Sequence, residues 1–315
     1  MPDARPMIEL VHLRRWFGTT RAVDDVSFQV QAGQVFGYIG PNGAGKTTSM
    51  RILATVDLPD SGDAFVDGFS VVNDPDRVRR RLGFMPDTFG TYPHINVEEY
   101  LDFFARAYGL RGLARQKAVA HVMEFTGLGP LADKPTSGLS KGMKQRLCLG
   151  RALIHDPPVL VLDEPAAGLD PRARIELREM IRQLAQQGKT ILISSHILTE
   201  LAEMCDVVGI IERGKLLAVG TVESIQRQVG TPQNVVQVQV LDGAAALADW
   251  LAQQPGVQEL KVQGHEARFL HQGGAAEAAD LLRAMILAGF RVTAFGTQQR
   301  SLEDVFMKVT QGLVQ

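Results

Sequence analysis

The sequence predicts an α/β fold built on a largely parallel sheet, followed by a small α+β unit. Three observations carry this. Short apolar runs alternate with stretches of helical period. A glycine-rich loop stands between an apolar run and a helical one. Beyond about residue 229 the rhythm changes to strand, helix, two strands, helix and strand.

The elements follow in order. Residues 7–80 read as strands broken by turns. Within them "AVDDVSFQVQAGQVFGYIG" alternates apolar and polar residues, then becomes an apolar strand that runs into glycines. "KTTSMRILATV" after it is helical, and "RLGFMP" (81–86) is a strand. From Asn96 to about Thr126 apolar residues recur at three- and four-residue steps, which predicts helices. A glycine and proline stretch, "GLGPLADKPTSGLS", separates these from a helix at "KGMKQRLCLGRALIH". The short strand "VLVLDEP", the helix "PRARIELREMIRQLAQQG" and the strand "TILISS" complete the first domain. The composition shifts at "QRQVGTPQN" (226–234). The βαββαβ order beyond it suggests a ferredoxin-like plait, with a closing helix at "SLEDVFMKVTQ". No internal repeat or low-complexity tract interrupts the chain.

Composition excludes several classes. The chain has 315 residues, a net charge of -2, 45% hydrophobic and 22% charged residues. That is an ordinary globular balance, and it gives no support for a nucleic-acid binder working through a basic face. No window approaches the apolar length of a membrane span. "MPDARPMIEL" lacks the layout of a signal peptide. Cys148 and Cys205 have no CxxC spacing and read as reduced packing residues of a cytosolic protein. The 7 histidines show no metal-ligand spacing. The cationic run "RVRRR" (77–81) reads as a solvated helix face, and the aromatics of "YLDFF" as core or docking surface.

Two motifs carry chemistry. Gly40, Pro41, Asn42, Gly43, Ala44, Gly45, Lys46 and Thr47, continued by Thr48, fit the pattern G-x-x-x-x-G-K-S/T. Glycines let backbone N–H groups approach phosphate oxygens, and the following helix points its positive end at the same anion. Lys46 supplies a point charge for the β and γ phosphates, and the Thr47 hydroxyl is placed for Mg2+. The second motif is "VLVLDEP" (159–165), an apolar strand ending in two acids. Its end lies at the sheet's carboxyl edge, where α/β proteins bind ligands. Asp163 suits Mg2+ and Glu164 suits the polarisation of an attacking water. Alone, the acid pair reads equally as a strand-end cap; beside the phosphate loop it points to an ATPase.

"LSKGMKQR" (139–146) resembles the signature motif of ATP-binding cassette (ABC) ATPases, usually LSGGQ, and lies ahead of the acid-ended strand as in that family. "GLDP" resembles the D-loop, with Asp170. "ISSHIL" resembles the switch-histidine strand, with His196. "RWFG" resembles the aromatic loop that stacks on adenine; Trp16 and Phe17 both suit that role, and the family's register assigns Phe17. The resemblance covers residues 7–225, and "VFGYIGPNGAGKTT" and "SLEDVFMKVT" resemble the nucleotide-binding subunits of ABC-2-type exporters.

The resemblance implies a P-loop ABC nucleotide-binding domain over 1–228, with a helical subdomain near 95–150, and an accessory α+β domain over 229–315. It implies two such subunits, as a homodimer, sandwiching two ATP molecules with Mg2+. Ser140 and Gly142 would then serve the nucleotide on the partner, and His196 the γ phosphate. It also implies a separate integral membrane permease, and a place on the cytoplasmic face of the membrane. Lys141 and Met143 depart from the usual signature. Asp87, in "GFMPDTFGTYP", stands where the Q-loop normally has glutamine. It is shorter and charged, able to approach Mg2+ through water but unable to donate as an amide. Its alternative is a loop carboxylate facing solvent. The competing function is a soluble, non-transport ABC ATPase acting on ribosomes or nucleic acid. A single cassette, without a heptad insertion or a basic tail, counts against it.

Overall fold

The structure, a computed structural model, describes residues 5–88, 90, 92, 94–197, 204–221, 223–225 and 233–299. It divides into two compact units, Met1–Thr221 and Val222–Gln315.

The first unit holds two sheets. Alternating patterns form β1 (Ile8–Phe17) and β2 (Thr20–Val30), which pair antiparallel and continue through β4 (Ser61–Val66) and β5 (Phe69–Ser70) in the order β2-β1-β4-β5. The second sheet is formed by β3 (Val35–Ile39), β6 (Leu82–Met85), β7 (Val159–Leu162), β8 (Thr190–Ser195), β9 (Val207–Glu212) and β10 (Lys215–Gly220). Their order is β10-β9-β3-β8-β7-β6. All pairs are parallel except β9 with β10. β3, β7 and β8 are buried at every position, which is why they read as unbroken apolar runs. One core cluster joins the two sheets, with Phe28 stacked on Phe36 at 4.7 Å between ring centroids.

Helices fill the connections: α1 (Lys46–Leu53), α2 (Pro75–Arg81), α3 (Val97–Ala107), α4 (Gly112–Phe125), α5 (Lys141–Leu153) and α6 (Pro171–Gln186). Their starts are written in the sequence. Asn96 and Glu99 form a capping box on α3, Asn96 Oδ1 accepting from Glu99 N at 2.8 Å and Glu99 Oε2 from Asn96 N at 2.9 Å. Ser140 caps α5, and Asp170 caps α6 with Pro171 as its first residue. On α2, Val78 is buried while Arg79, Arg80 and Arg81 are exposed; Arg79 pairs with Asp76 and Arg81 with Asp67, so the run is a solvated helix face. "YLDFF" divides: Tyr100 and Leu101 are core, whereas Phe103 is exposed. Both cysteines are free, and burial pushes both thiols up, Cys148 to about 12.

The second unit contains β11 (Gln233–Val240), α7 (Ala244–Ala252), β12 (Val257–Gln263), β13 (Glu266–Gln272), α8 (Ala275–Leu287) and β14 (Val292–Gln299). The sheet order is β12-β13-β11-β14, with every neighbour antiparallel. First and third strands at the centre, second and fourth at the edges: this is the plait that the βαββαβ rhythm predicts. Val236, Val238 and Phe269 on one face pack with Leu247, Leu251, Leu281 and Met285 of the helices. The expected closing helix, Ser301–Gln311, and residues 226–232 of the composition shift lie outside the described residues. Among the described residues no helix is long and apolar enough to cross a membrane.

Gly83 in β6 lets α5 approach closely. A Cβ there would stand 2.2 Å from the Ala152 carbonyl oxygen and 2.9 Å from Leu160 Cδ2. This contact depends on where α5 is placed and has no signature in the local sequence. Gly83→Ala is expected to overpack this seam and lower unfolding stability by about 1–3 kcal/mol, read by urea denaturation; an unchanged midpoint would contradict it.

Candidate active site

Parallel strands end at one edge, so the residues that follow β3, β7 and β8 are gathered together. Register fixes which ones meet. Ile39 lies opposite Ser195, and Leu162 opposite Ile193. The next residues are Gly40, Asp163 with Glu164, and Ser194 through His196.

The loop Gly40–Gly45 turns from β3 into α1. Two glycines in it are required by sterics. A Cβ on Gly40 would meet the Ile211 carbonyl oxygen at 2.2 Å. Gly45 sits at φ 107°, and a Cβ would meet the Ala22 carbonyl oxygen at 2.3 Å. Pro41, Asn42 and Gly43 are exposed on the crown, Ala44 is buried, and Thr47 and Thr48 are half-buried on the first turn of α1. No side chain caps that turn, so its N–H groups face the loop.

Lys46 is 5% exposed. Its ammonium donates to the carbonyls of Gly40 at 2.6 Å and Pro41 at 3.2 Å, and pairs with Glu164 Oε1 at 3.2 Å. The other Glu164 oxygen, Oε2, accepts from His196 Nδ1 at 2.7 Å, with the proton assigned to that nitrogen. Glu164 thus stands between a buried cation and a half-exposed imidazole. Its backbone is at φ 47°, outside the usual range for a side-chain-bearing residue. Glu164 N donates to Ser194 Oγ at 2.8 Å, and its carbonyl accepts from Ala167 N at 3.0 Å.

Asp163 is fully buried, and its N–H donates to the Met85 carbonyl at 2.8 Å. Burial pushes its carboxyl above the ordinary aspartate value. The hydroxyls of Ser194 and Thr47 work the other way, and the charges of Asp87 and Glu164 add to the rise. Ser194 Oγ donates to Oδ1 at 2.6 Å, while Oδ2 has no hydrogen-bond partner. A buried, uncommitted carboxylate oxygen beside a threonine hydroxyl fits a small divalent cation. Among the described residues no three or more His, Cys, Asp or Glu side chains are arranged to hold a metal ion by themselves. Such a site suits an ion that takes its remaining ligands from phosphate and water.

Asp87 is exposed in the turn after β6, where its Oδ1 accepts from Thr88 N at 2.7 Å. It faces solvent, yet its charge reaches Asp163. Phe17 and Trp16 close β1 at the hairpin tip, 51% and 47% exposed. The Arg15 guanidinium lies 4.7 Å from the Phe17 ring centroid. Ser140, Gly142 and Asp170 form a second group. Ser140 accepts from Met143 N at 3.3 Å and Asp170 from Ala173 N at 2.9 Å. A Cβ on Gly142 would stand 3.0 Å from that of Ala173. Among the described residues no hydrogen bond joins this group to Lys46, Glu164 or His196. Lys141, at a usual glycine of the signature, lays its side chain across Gly168.

Ser194 is not among the residues that the sequence singles out; in "ISSHIL" the histidine is the residue with evident chemistry. The available signal was a hydroxyl inside a strand whose every residue is buried.

Known proteins resemble this chain in sequence and in fold. The ABC transporter family profile matches residues 23–167, and that of the ATP-binding protein DrrA1-3-like C-terminal domain matches 220–310. The Nod factor export ATP-binding protein I of Ralstonia nicotianae is 36% identical over 310 residues, spanning 97% of this chain and 94% of its own. The linearmycin resistance ATP-binding protein LnrL of Bacillus subtilis is 29% identical over 308 residues, 96% of this chain and 98% of its own. A solved ATP binding subunit of an ABC transporter superposes with a TM-score of 0.65 at 31% identity, over 70% of this chain and 92% of its own. This chain belongs to the ABC transporter family, as an ATP-hydrolysing subunit.

Proposed function

We propose that this chain powers a membrane exporter by hydrolysing ATP at the Lys46–Glu164–His196 site, with Mg2+ held beside Asp163 and Thr47. The observation that carries the proposal is the convergence of a phosphate-type loop, an uncommitted acid oxygen and a base-competent carboxylate at one sheet edge. Gly40–Thr48 cradle the phosphates through backbone N–H groups and the start of α1. Lys46 moves its charge from the loop carbonyls and Glu164 to the β and γ phosphates. Asp163 and Thr47 would hold the metal, with Asp87 contributing charge nearby; bound there, it would supply charge neutralisation on the phosphates.

Glu164 takes a proton from water as that water's oxygen bonds to the γ phosphorus. The bond from the γ phosphorus to the β–γ bridging oxygen breaks, and ADP and phosphate leave. His196 orients Glu164 and the γ phosphate. Phe17 supplies a stacking face for adenine at the exposed hairpin tip. Ser140, Gly142 and Asp170 face the nucleotide of a second ATP-binding subunit. The exposed small residue and helix start at Ser140 suit such an anion contact.

The ATP cycle does mechanical work only through a difference in affinity between open and closed states. Neither unit supplies a membrane-crossing helix among the described residues. The transport step therefore calls for an integral membrane permease, with this chain peripheral on its cytoplasmic face. Relatives named for Nod factor export and linearmycin resistance support export over the reading of a soluble switch on ribosomes or nucleic acid.

The test is affinity purification of the tagged chain with Mg-ATP from detergent-solubilised membranes of the source cells, beside Lys46→Ala. Stoichiometric recovery of a multi-span membrane protein is expected. Recovery of a ribosomal or nucleoid partner without one would overturn the transport reading. For the metal, Asp87→Ala is expected to raise the Mg2+ concentration for half-maximal hydrolysis by about 10-fold. An unchanged Mg2+ requirement would leave Asp87 as a solvent-facing carboxylate.

A further inference from the structure

Ser194 is fully buried in β8, inside the sheet. Its hydroxyl is committed on two sides. It donates to Asp163 Oδ1 at 2.6 Å and accepts from Glu164 N–H at 2.8 Å. One oxygen therefore touches both acids, through the carboxylate of the first and the backbone of the second. Register makes this possible. The β7–β8 pairing ends at Leu162 with Ile193, and Asp163 and Ser194 are the next residues along the two strands.

The consequences differ at the two acids. At Asp163, occupation of Oδ1 leaves Oδ2 as the oxygen without a hydrogen-bond partner. At Glu164, the bond holds a backbone at φ 47°. A residue with a side chain keeps that conformation only where its surroundings fix it. The direction so fixed sends the carboxylate between Lys46 Nζ at 3.2 Å and His196 Nδ1 at 2.7 Å.

We infer that Ser194 is a positioning residue for ATP hydrolysis, its single hydroxyl aligning the Asp163 carboxylate and the Glu164 backbone together. This rests on the reading of Glu164 as the base. Replacing the hydroxyl by a methyl-sized side chain releases both acids at once and changes no residue of the phosphate loop.

The full-length chain is compared with Ser194→Ala, Ser194→Thr and Glu164→Gln in three measurements. These are steady-state ATP hydrolysis, thermal unfolding, and the affinity for a fluorescent ATP analogue with and without Mg2+. Ser194→Ala is expected to lower kcat by about 10–100-fold. KM and the Mg-free analogue affinity should change by less than about 3-fold. Ser194→Thr retains the hydroxyl and should recover kcat to within about 3-fold of the unmodified chain. If Ser194→Ala does not fold, Ser194→Cys, similar in size and a weak donor, carries the same expectation.

The inference is overturned if Ser194→Ala or Ser194→Cys keeps kcat within about 2-fold while Glu164→Gln loses hydrolysis. It is also overturned if a folded Ser194→Thr fails to recover kcat, or if Mg-free affinity falls as far as kcat. Full hydrolysis by Glu164→Gln removes the base reading, and this inference with it.

Discussion

A buried ammonium is stable only where acceptors surround it, and in this chain they converge on Lys46 from two strand ends. Gly40 and Pro41 offer carbonyls from the loop after β3, and Glu164 offers a carboxylate from the end of β7. The loop must be narrow enough to bring its carbonyls in. This is why Gly40 has no space for a side chain against Ile211. Glu164 must turn back toward the loop, which costs a left-handed backbone, about 1 kcal/mol for a side-chain-bearing residue. Ser194 and Ala167 hold that turn in place. Much of the geometry at the sheet edge follows from seating one cation.

The same arrangement is responsive. Lys46 is held by a carboxylate and two carbonyls, all of which a phosphate can replace as partners. The exchange would alter what Glu164 faces, and through His196 what the exposed end of β8 carries. The signature group is built differently. Ser140 and Asp170 act as helix caps, so small polar residues there already have a structural task. Their exposure, and the Lys141 side chain lying across Gly168, put charge and hydrogen-bonding groups on the surface.

Legibility in the sequence followed how local each feature was. The phosphate loop, the apolar strands and the capping residues are contiguous patterns, so they could be read directly. The second unit was legible for the same reason: "VVQVQVL" alternates as a strand does, and the segments between strands have a helical period. Features set by the alignment of distant segments were not legible. Ser194 meets Asp163 only through the β7–β8 register, and Gly83 meets Ala152 only through the placement of α5. Asp87 illustrates an intermediate case. Its position before the helical segment was visible, but its combination of solvent exposure and electrostatic reach to Asp163 came from the fold. Phe17 and Trp16 remain alike in exposure, so the hairpin itself does not separate them.

The central claim is that Glu164, held between Lys46 and His196, is the group that activates water. Equilibrium ATP binding and steady-state hydrolysis, measured side by side on Glu164→Gln, test it most directly. The amide keeps the size of the side chain but cannot take the proton. ATP should bind within a few-fold of the unmodified chain, while hydrolysis falls by about 100–10,000-fold. Full turnover in this variant would contradict the account and move the base elsewhere.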